Sequence, residues 1–143
     1  MKNIKLQPSP LNISAKLLVN INKAISENDV ATDATNITIN FRDSEYSCDA
    51  GGYQPVEIGL EKDQESDHWR LLYITDFCYC GSPYAELAKD LDFDFSADTF
   101  FASYCPPIPT KHHSVKELFE LWQHNFLSYL ELGVFDEIKV SAW

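Results

Sequence analysis

Apolar positions change their spacing several times along the chain, and each change marks an element. Ile13, Leu17, Leu18, Ile21, Ala24 and Ile25 recur at helical spacing, with Lys16, Asn20 and Lys23 on another face, which predicts a helix over about 12–27. Residues 1–11, with Pro8 and Pro10, read as an irregular arm. From Thr35 to Arg42 the period becomes two: Ile37, Ile39 and Phe41 alternate with Thr38, Asn40 and Arg42, as in a half-buried strand. Residues 43–53 form a polar loop in which Gly51-Gly52 can supply positive φ. Val56, Ile58 and Leu60 then alternate with Glu57, Gly59 and Glu61 as a second strand, and the polar stretch 62–67 turns the chain. A third strand runs from His68 to about Cys80. Trp69, Leu71 and Tyr73 fall on one face and Leu72, Ile74 and Cys78 on the other, which places it inside a sheet.

Ser82-Pro83 is a helix-start signal and predicts a short helix to about Leu91. Asp92 to Phe95 alternates and its neighbours to Tyr104 are aromatic-rich, so this segment reads as either a strand or a packed loop. Cys105 to Thr110 is irregular, because its prolines remove donors and fix φ. Ser114-Val-Lys-Glu117 has the form of a capping box and opens the clearest helix, over about 115–131, with Gly133 placed to end it. Ile138, Val140 and Ala142 alternate in a last strand. This order predicts an α+β fold: a single domain over residues 1–143, with a mainly antiparallel sheet of about four to five strands packed against two to three helices.

Composition, 45% hydrophobic and 23% charged, excludes a disordered chain. Charge changes the picture more. The net charge of −11 is concentrated in two windows. Residues 43–67 carry eight acids against Lys62, and residues 86–98 carry five against Lys89. No cluster of Lys and Arg is present, so direct nucleic-acid binding and attachment to anionic lipid are not expected, whereas a basic protein partner is. The N-terminus lacks the apolar run of a signal peptide and no stretch approaches a membrane span, which predicts a cytoplasmic protein with reduced cysteines.

Candidate chemistry is sparse. Cys78-Tyr-Cys80 could join Cys48, Cys105, His112 and His113 at zinc, but the paired spacing of a structural site is absent and buried, inert thiols are expected. Asp90-x-Asp92-x-Asp94 resembles a calcium loop, yet Phe95 and Phe101 occupy positions that need glycine and a bidentate acid. No metal, cofactor or catalytic set is predicted, and the purified protein is expected to hold no stoichiometric zinc or calcium. Asp76 shares a face with apolar residues, so its carboxyl must be hydrogen-bonded or have a raised pKa. A cap on loop backbone near Gly81 is the simplest role. Arg42 is expected to pair with Asp43 or Glu57.

Phe41-Arg42-Asp43, Tyr46, Gly51-Gly52-Tyr53, Pro55-Val56-Glu57-Ile58, Ile74-Thr75-Asp76-Phe77, Glu86-Leu87, Leu91-Asp92-Phe93-Asp94-Phe95 and Trp122-x-x-Asn125-Phe126 together resemble a small bacterial family catalogued only as a domain of unknown function. The resemblance spans about residues 35–135. It implies a bacterial, cytosolic, single-domain protein, does not require cysteine at 78 or 80, and supplies no activity. The residues themselves favour a non-enzymatic protein-interaction module. Arg42, Asp43, Tyr46, Tyr53, Glu61, Asp63, Glu65, Asp67 and Asp76 are its candidate binding residues, with Tyr46 and Tyr53 as aromatic anchors. An acidic DNA mimic that occupies a basic nucleic-acid-binding protein is the alternative. A small hydrolase built on Asp76 is a weaker one.

Overall fold

The computed structural model describes residues 1–81 and 83–143. The alternating segments pair into one sheet. Its strands, in chain order with the helices, are β1 (Lys5–Leu6), α1 (Ala15–Ser26), β2 (Asn36–Arg42), β3 (Val56–Lys62), β4 (His68–Cys80), β5 (Glu86–Asp94), β6 (Thr99–Ala102), β7 (Ile108–Pro109), α2 (His113–Leu132) and β8 (Glu137–Ala142). The spatial order is β7-β6-β5-β4-β3-β2-β8, antiparallel throughout, while β1 pairs in parallel with the start of β4.

The expected four to five strands are therefore corrected to eight among the described residues, while the two helices fall within the expected two to three. The largest difference lies at 86–94. Glu86-Leu-Ala-Lys has helical propensity, but the residues from Tyr73 to Cys80 on β4 present unpaired backbone groups along one edge. Pairing with Glu86–Asp94 satisfies them, and tertiary hydrogen bonding overrides local preference. Ser82, the expected N-cap, lies outside the described residues. The aromatic segment resolves into β6 against β5, and the expected irregular arm contributes β1, which covers the part of β4 that β5 leaves open.

Two register shifts shape β4. Ile58 pairs with Ile74 and Leu60 with Leu71, so one residue of β4, Leu72, bulges out; its carbonyl accepts from the N–H groups of Phe95 and Ser96. The bulge reverses the facing of the strand, so Trp69, Leu71, Ile74 and Asp76 are all buried. That corrects the reading in which Leu71 and Ile74 lay on opposite faces. The second shift falls between Thr75 and Phe77, where Asp76 stands opposite two residues of β5, Asp90 and Leu91.

Both helices contribute to one core with the sheet. From α1 come Leu17, Ile21, Ala24 and Ile25; from α2 come Val115, Phe119 and Phe126. Phe126 meets Phe41 edge-on at 5.2 Å, and Phe119 meets Phe93 at 4.9 Å, so α2 lies over strands as far apart as β2 and β5. Ser14 caps α1 by accepting from the Leu17 N–H. The N-cap of α2 is His112, whose Nδ1 accepts from the Ser114 N–H, in place of the expected capping box at Ser114. Gly133, at φ 72°, ends α2: its N–H reaches the Leu130 carbonyl, and the Val134 N–H reaches Tyr129.

Candidate functional site

The 43–55 loop is organised by one carboxylate. Asp43 accepts from the Glu45 N–H through Oδ1 and from the Tyr53 N–H through Oδ2. Ser47 and Gly51 exchange backbone hydrogen bonds across the loop. Gly52 has φ 120°, and a Cβ there would lie 2.9 Å from Asp43 Oδ2 and 3.1 Å from Tyr46 Cα, so glycine is required. The backbone N–H and Oγ of Ser44 both donate to Asp136, which ties the loop to the segment after α2 and holds the Asp136 carboxyl below its usual range. Tyr46 stacks on Tyr79 and accepts from its N–H, while Tyr53 packs edge-on against Tyr129 at 4.8 Å.

Between this loop and α2 lies a cleft of about 310 Å³. Tyr53 and Gln54 line it from the loop, Val56 and Asp76 from the sheet, and Trp122, Asn125, Phe126 and Tyr129 from α2. Asp76 is only 6% exposed. Its Oδ1 accepts from the Leu91 N–H at 2.8 Å, and its Oδ2 accepts from the Trp122 indole N–H at 3.0 Å. The β5 bulge accounts for the first bond: the extra residue frees a backbone donor from the ladder, and the carboxylate takes it. Burial pushes the Asp76 carboxyl up to about 6 against the pull of these two donors, and the charge of Asp90 adds to the rise. The Asp90 carboxylate accepts from Gln54 Nε2 at 3.3 Å. Among the described residues Asp76 thus bonds to β5 and α2 rather than to the backbone near Gly81, which corrects the expected loop cap.

The candidate residues fall into two groups. Asp43, Tyr46, Tyr53 and Asp76 come together around the loop and cleft, with exposed Arg42 at the loop's entrance. Among the described residues Arg42 forms no ion pair: Asp43 is committed to its own loop, and Glu57 accepts from the Tyr73 hydroxyl at 2.8 Å. Tyr73 lies over Gly59, and burial and the Glu57 contact push its hydroxyl up to about 12. Glu61, Asp63, Glu65 and Asp67 sit at the opposite end of β3, about 20 Å away by strand rise. There Glu61 pairs with Arg70 at 2.6 Å and Asp63 accepts from Ser66 Oγ.

Three cysteines, Cys48, Cys80 and Cys105, are exposed, which corrects the expectation of buried thiols; burial raises the half-buried Cys78. Among the described residues no three His, Cys, Asp or Glu side chains cluster as a metal site would require. Among the described residues no helix is long and apolar enough to cross a membrane. Gln54 carries no sequence signal, Trp122 and Asn125 stand in the Trp122-x-x-Asn125-Phe126 motif without a site role, and the Trp122–Asp76 bond joins residues 46 apart. The available signal was Asp76 itself: an acid on an apolar face needs donors, and the apolar face of α2 offers a donor-only indole.

Among the described residues these features amount to one sheet of paired strands, two helices and a polar-floored cleft between loop and helix. The chain belongs to the family of proteins of unknown function DUF2787, with a match over residues 15–141. A hypothetical protein from the VSP-II pathogenicity island of Vibrio cholerae is 34% identical to it, with a TM-score of 0.90 over 98% of this chain and 99% of that one. A conserved hypothetical protein from pathogenicity island VPI-2 of V. cholerae O1 biovar eltor is 36% identical, with a TM-score of 0.83 over 95% of this chain and 99% of its own. The latter is reported to share structural homology with the human P32 protein. No curated protein matches the chain significantly.

Proposed function

We propose that this protein is a non-enzymatic interaction module that meets a basic protein partner through its acidic surface. The observation that carries this reading is the division of labour among the acids of residues 43–67. Asp43, Glu57, Glu61 and Asp63 are engaged by internal partners. Glu45 and Asp49 at the loop end, and Glu65 and Asp67 at the hairpin end, are exposed, and their side chains have no partner among the described residues. Unneutralised like charges raise the energy of the folded chain, and a basic partner removes that cost. A standard interface covers about 800 Å² per partner, wide enough to reach both pairs. A DNA mimic needs acids arrayed on one face at phosphate-like spacing, and two pairs about 20 Å apart along β3 do not favour it.

The test replaces each pair separately, Glu45→Gln with Asp49→Asn and Glu65→Gln with Asp67→Asn, and compares the partners captured from bacterial lysate at low and high salt. Wild type is expected to hold basic partners at low salt and lose them as ionic strength rises. At least one variant should capture less at low salt. Identical capture by wild type and both variants at both salts would reduce these acids to a solvated surface.

A further inference from the structure

We propose that the cleft beside α2 seats a single cationic side chain, a lysine ammonium or an arginine guanidinium, against the Asp76 carboxylate. The inference takes from the interaction reading only that the ligand belongs to a protein; the site itself is separate from the hairpin acids.

Three observations converge. The first is the floor of the cleft. Asp76 is buried, both of its bonded donors are neutral N–H groups, and among the described residues no Lys, Arg or His lines the cleft. A carboxylate offers about two acceptor positions per oxygen, and each oxygen here has one donor, so further donors can bind without displacing those present. The second is the wall. Tyr53, Trp122 and Tyr129 bring aromatic rings to the cleft, and ring faces attract cations. The third is the field. Asp90, held by Gln54 next to the cleft, acts on Asp76 with a second negative charge. A buried anion with aromatic walls, a nearby acid and no internal cation is complementary to an incoming positive charge of side-chain size. Burial also means that such a cation meets little competing water, which strengthens the pair.

The arrangement is built rather than incidental. The bulge of β5 turns the Leu91 N–H onto Asp76, and α2 aims its indole at the other oxygen. Together they fix the carboxylate before any ligand arrives, which lowers the ordering cost of binding.

The test uses the full chain and three blocked tripeptides, Gly-Lys-Gly, Gly-Arg-Gly and Gly-norleucine-Gly, with the Asp76 carboxyl carbon followed by NMR across a pH titration. The charged groups and titratable neighbours that face Asp76 are Asp90 and Cys78 from the sheet, Tyr53 from the loop and Tyr129 from α2. The lysine or the arginine peptide is expected to bind with a Kd of roughly millimolar order and to lower the Asp76 midpoint by about one pH unit; the norleucine peptide should do neither. Which charged peptide binds more tightly separates ammonium from guanidinium recognition. Asp76→Asn should abolish the difference between charged and neutral peptides. Because that change sets an amide beside the indole N–H, Tyr53→Ala is the second variant, and it should weaken the charged peptide several-fold. An Asp76 midpoint unmoved by either charged peptide, or equal binding of the norleucine peptide, overturns the proposal. The variant at Glu65 and Asp67 should bind the tripeptides as wild type does, so failure of the acidic-surface reading and failure of the cleft are read separately.

Discussion

Asp76 concentrates the physical tension of this molecule in one side chain. Folding moves its carboxyl from an ordinary 3.8 up to about 6, chiefly by burial. The folded state therefore holds the Asp76 proton more tightly than the unfolded state. Its stabilising contribution is complete below pH 3.8 and is lost as pH rises through about 6. A shift of this size corresponds to about 2 kcal/mol between pH 4 and pH 7.5. Asp76→Asn removes this dependence. The stability of the variant relative to wild type should improve by about that amount from pH 4 to pH 7.5, read from urea midpoints at the two pH values. A constant offset between the two proteins would show that Asp76 titrates as an ordinary surface acid. The need for a partner at this position was legible in the sequence, since an acid stood among apolar residues. Which donors satisfy it was not, because Leu91 and Trp122 are 15 and 46 residues away along the chain.

At the scale of elements, the two helices are joined by a polar latch inside the core. Gln123 on α2 is buried; its Oε1 accepts from the Ser14 N–H, and its Nε2 donates to the Asn12 carbonyl. The latch fixes the chain entering α1 at its N-cap. Gln123→Leu removes both bonds and leaves the Ser14 N–H and Asn12 carbonyl without these partners. The expected loss is about 1–3 kcal/mol in denaturant unfolding, with faster amide exchange in the first turn of α1. An unchanged midpoint would mean that water replaces the latch at no cost. Periodicity located α1, α2, β2, β3 and β4, because each has an apolar face that must be buried, and it located β8 although only Val140 of that strand's alternating residues is half-buried. It failed at β5. There the local preference is helical, and the bulge at Asp90 and Leu91 interrupts the alternation that would have marked a strand. It also misjudged β4, because the extra residue at Leu72 moves Ile74 to the face of Leu71.

Over the whole molecule, charge is the dominant unbalanced quantity. The chain carries a net −11, and only three ion pairs are present among the described residues. One of these, Lys16–Glu131, is exposed and contributes little. Self-repulsion among the remaining acids is screened by salt, so thermal stability should rise as NaCl increases from low to physiological concentration. Neutralising Glu45, Asp49, Glu65 and Asp67 together should raise the midpoint at low salt and flatten its salt dependence. Melting temperatures indifferent to both salt and substitution would show that the acids lie too far apart to repel.

What the amino-acid sequence determined by itself is the set of segments that need a buried face, the two acidic windows and the demand that Asp76 be satisfied. These follow from local spacing and from the cost of placing polar groups among apolar ones, both of which act on near neighbours. Tertiary structure decided the rest. It converted residues 86–94 from helix-prone sequence into a strand, because the long edge of β4 required donors and acceptors. It divided one contiguous run of acids between two ends of β3, because a strand separates its flanking turns by its own length. It also made the cleft, since Asp76, the 43–55 loop and Trp122 meet only when the sheet turns its buried face toward α2.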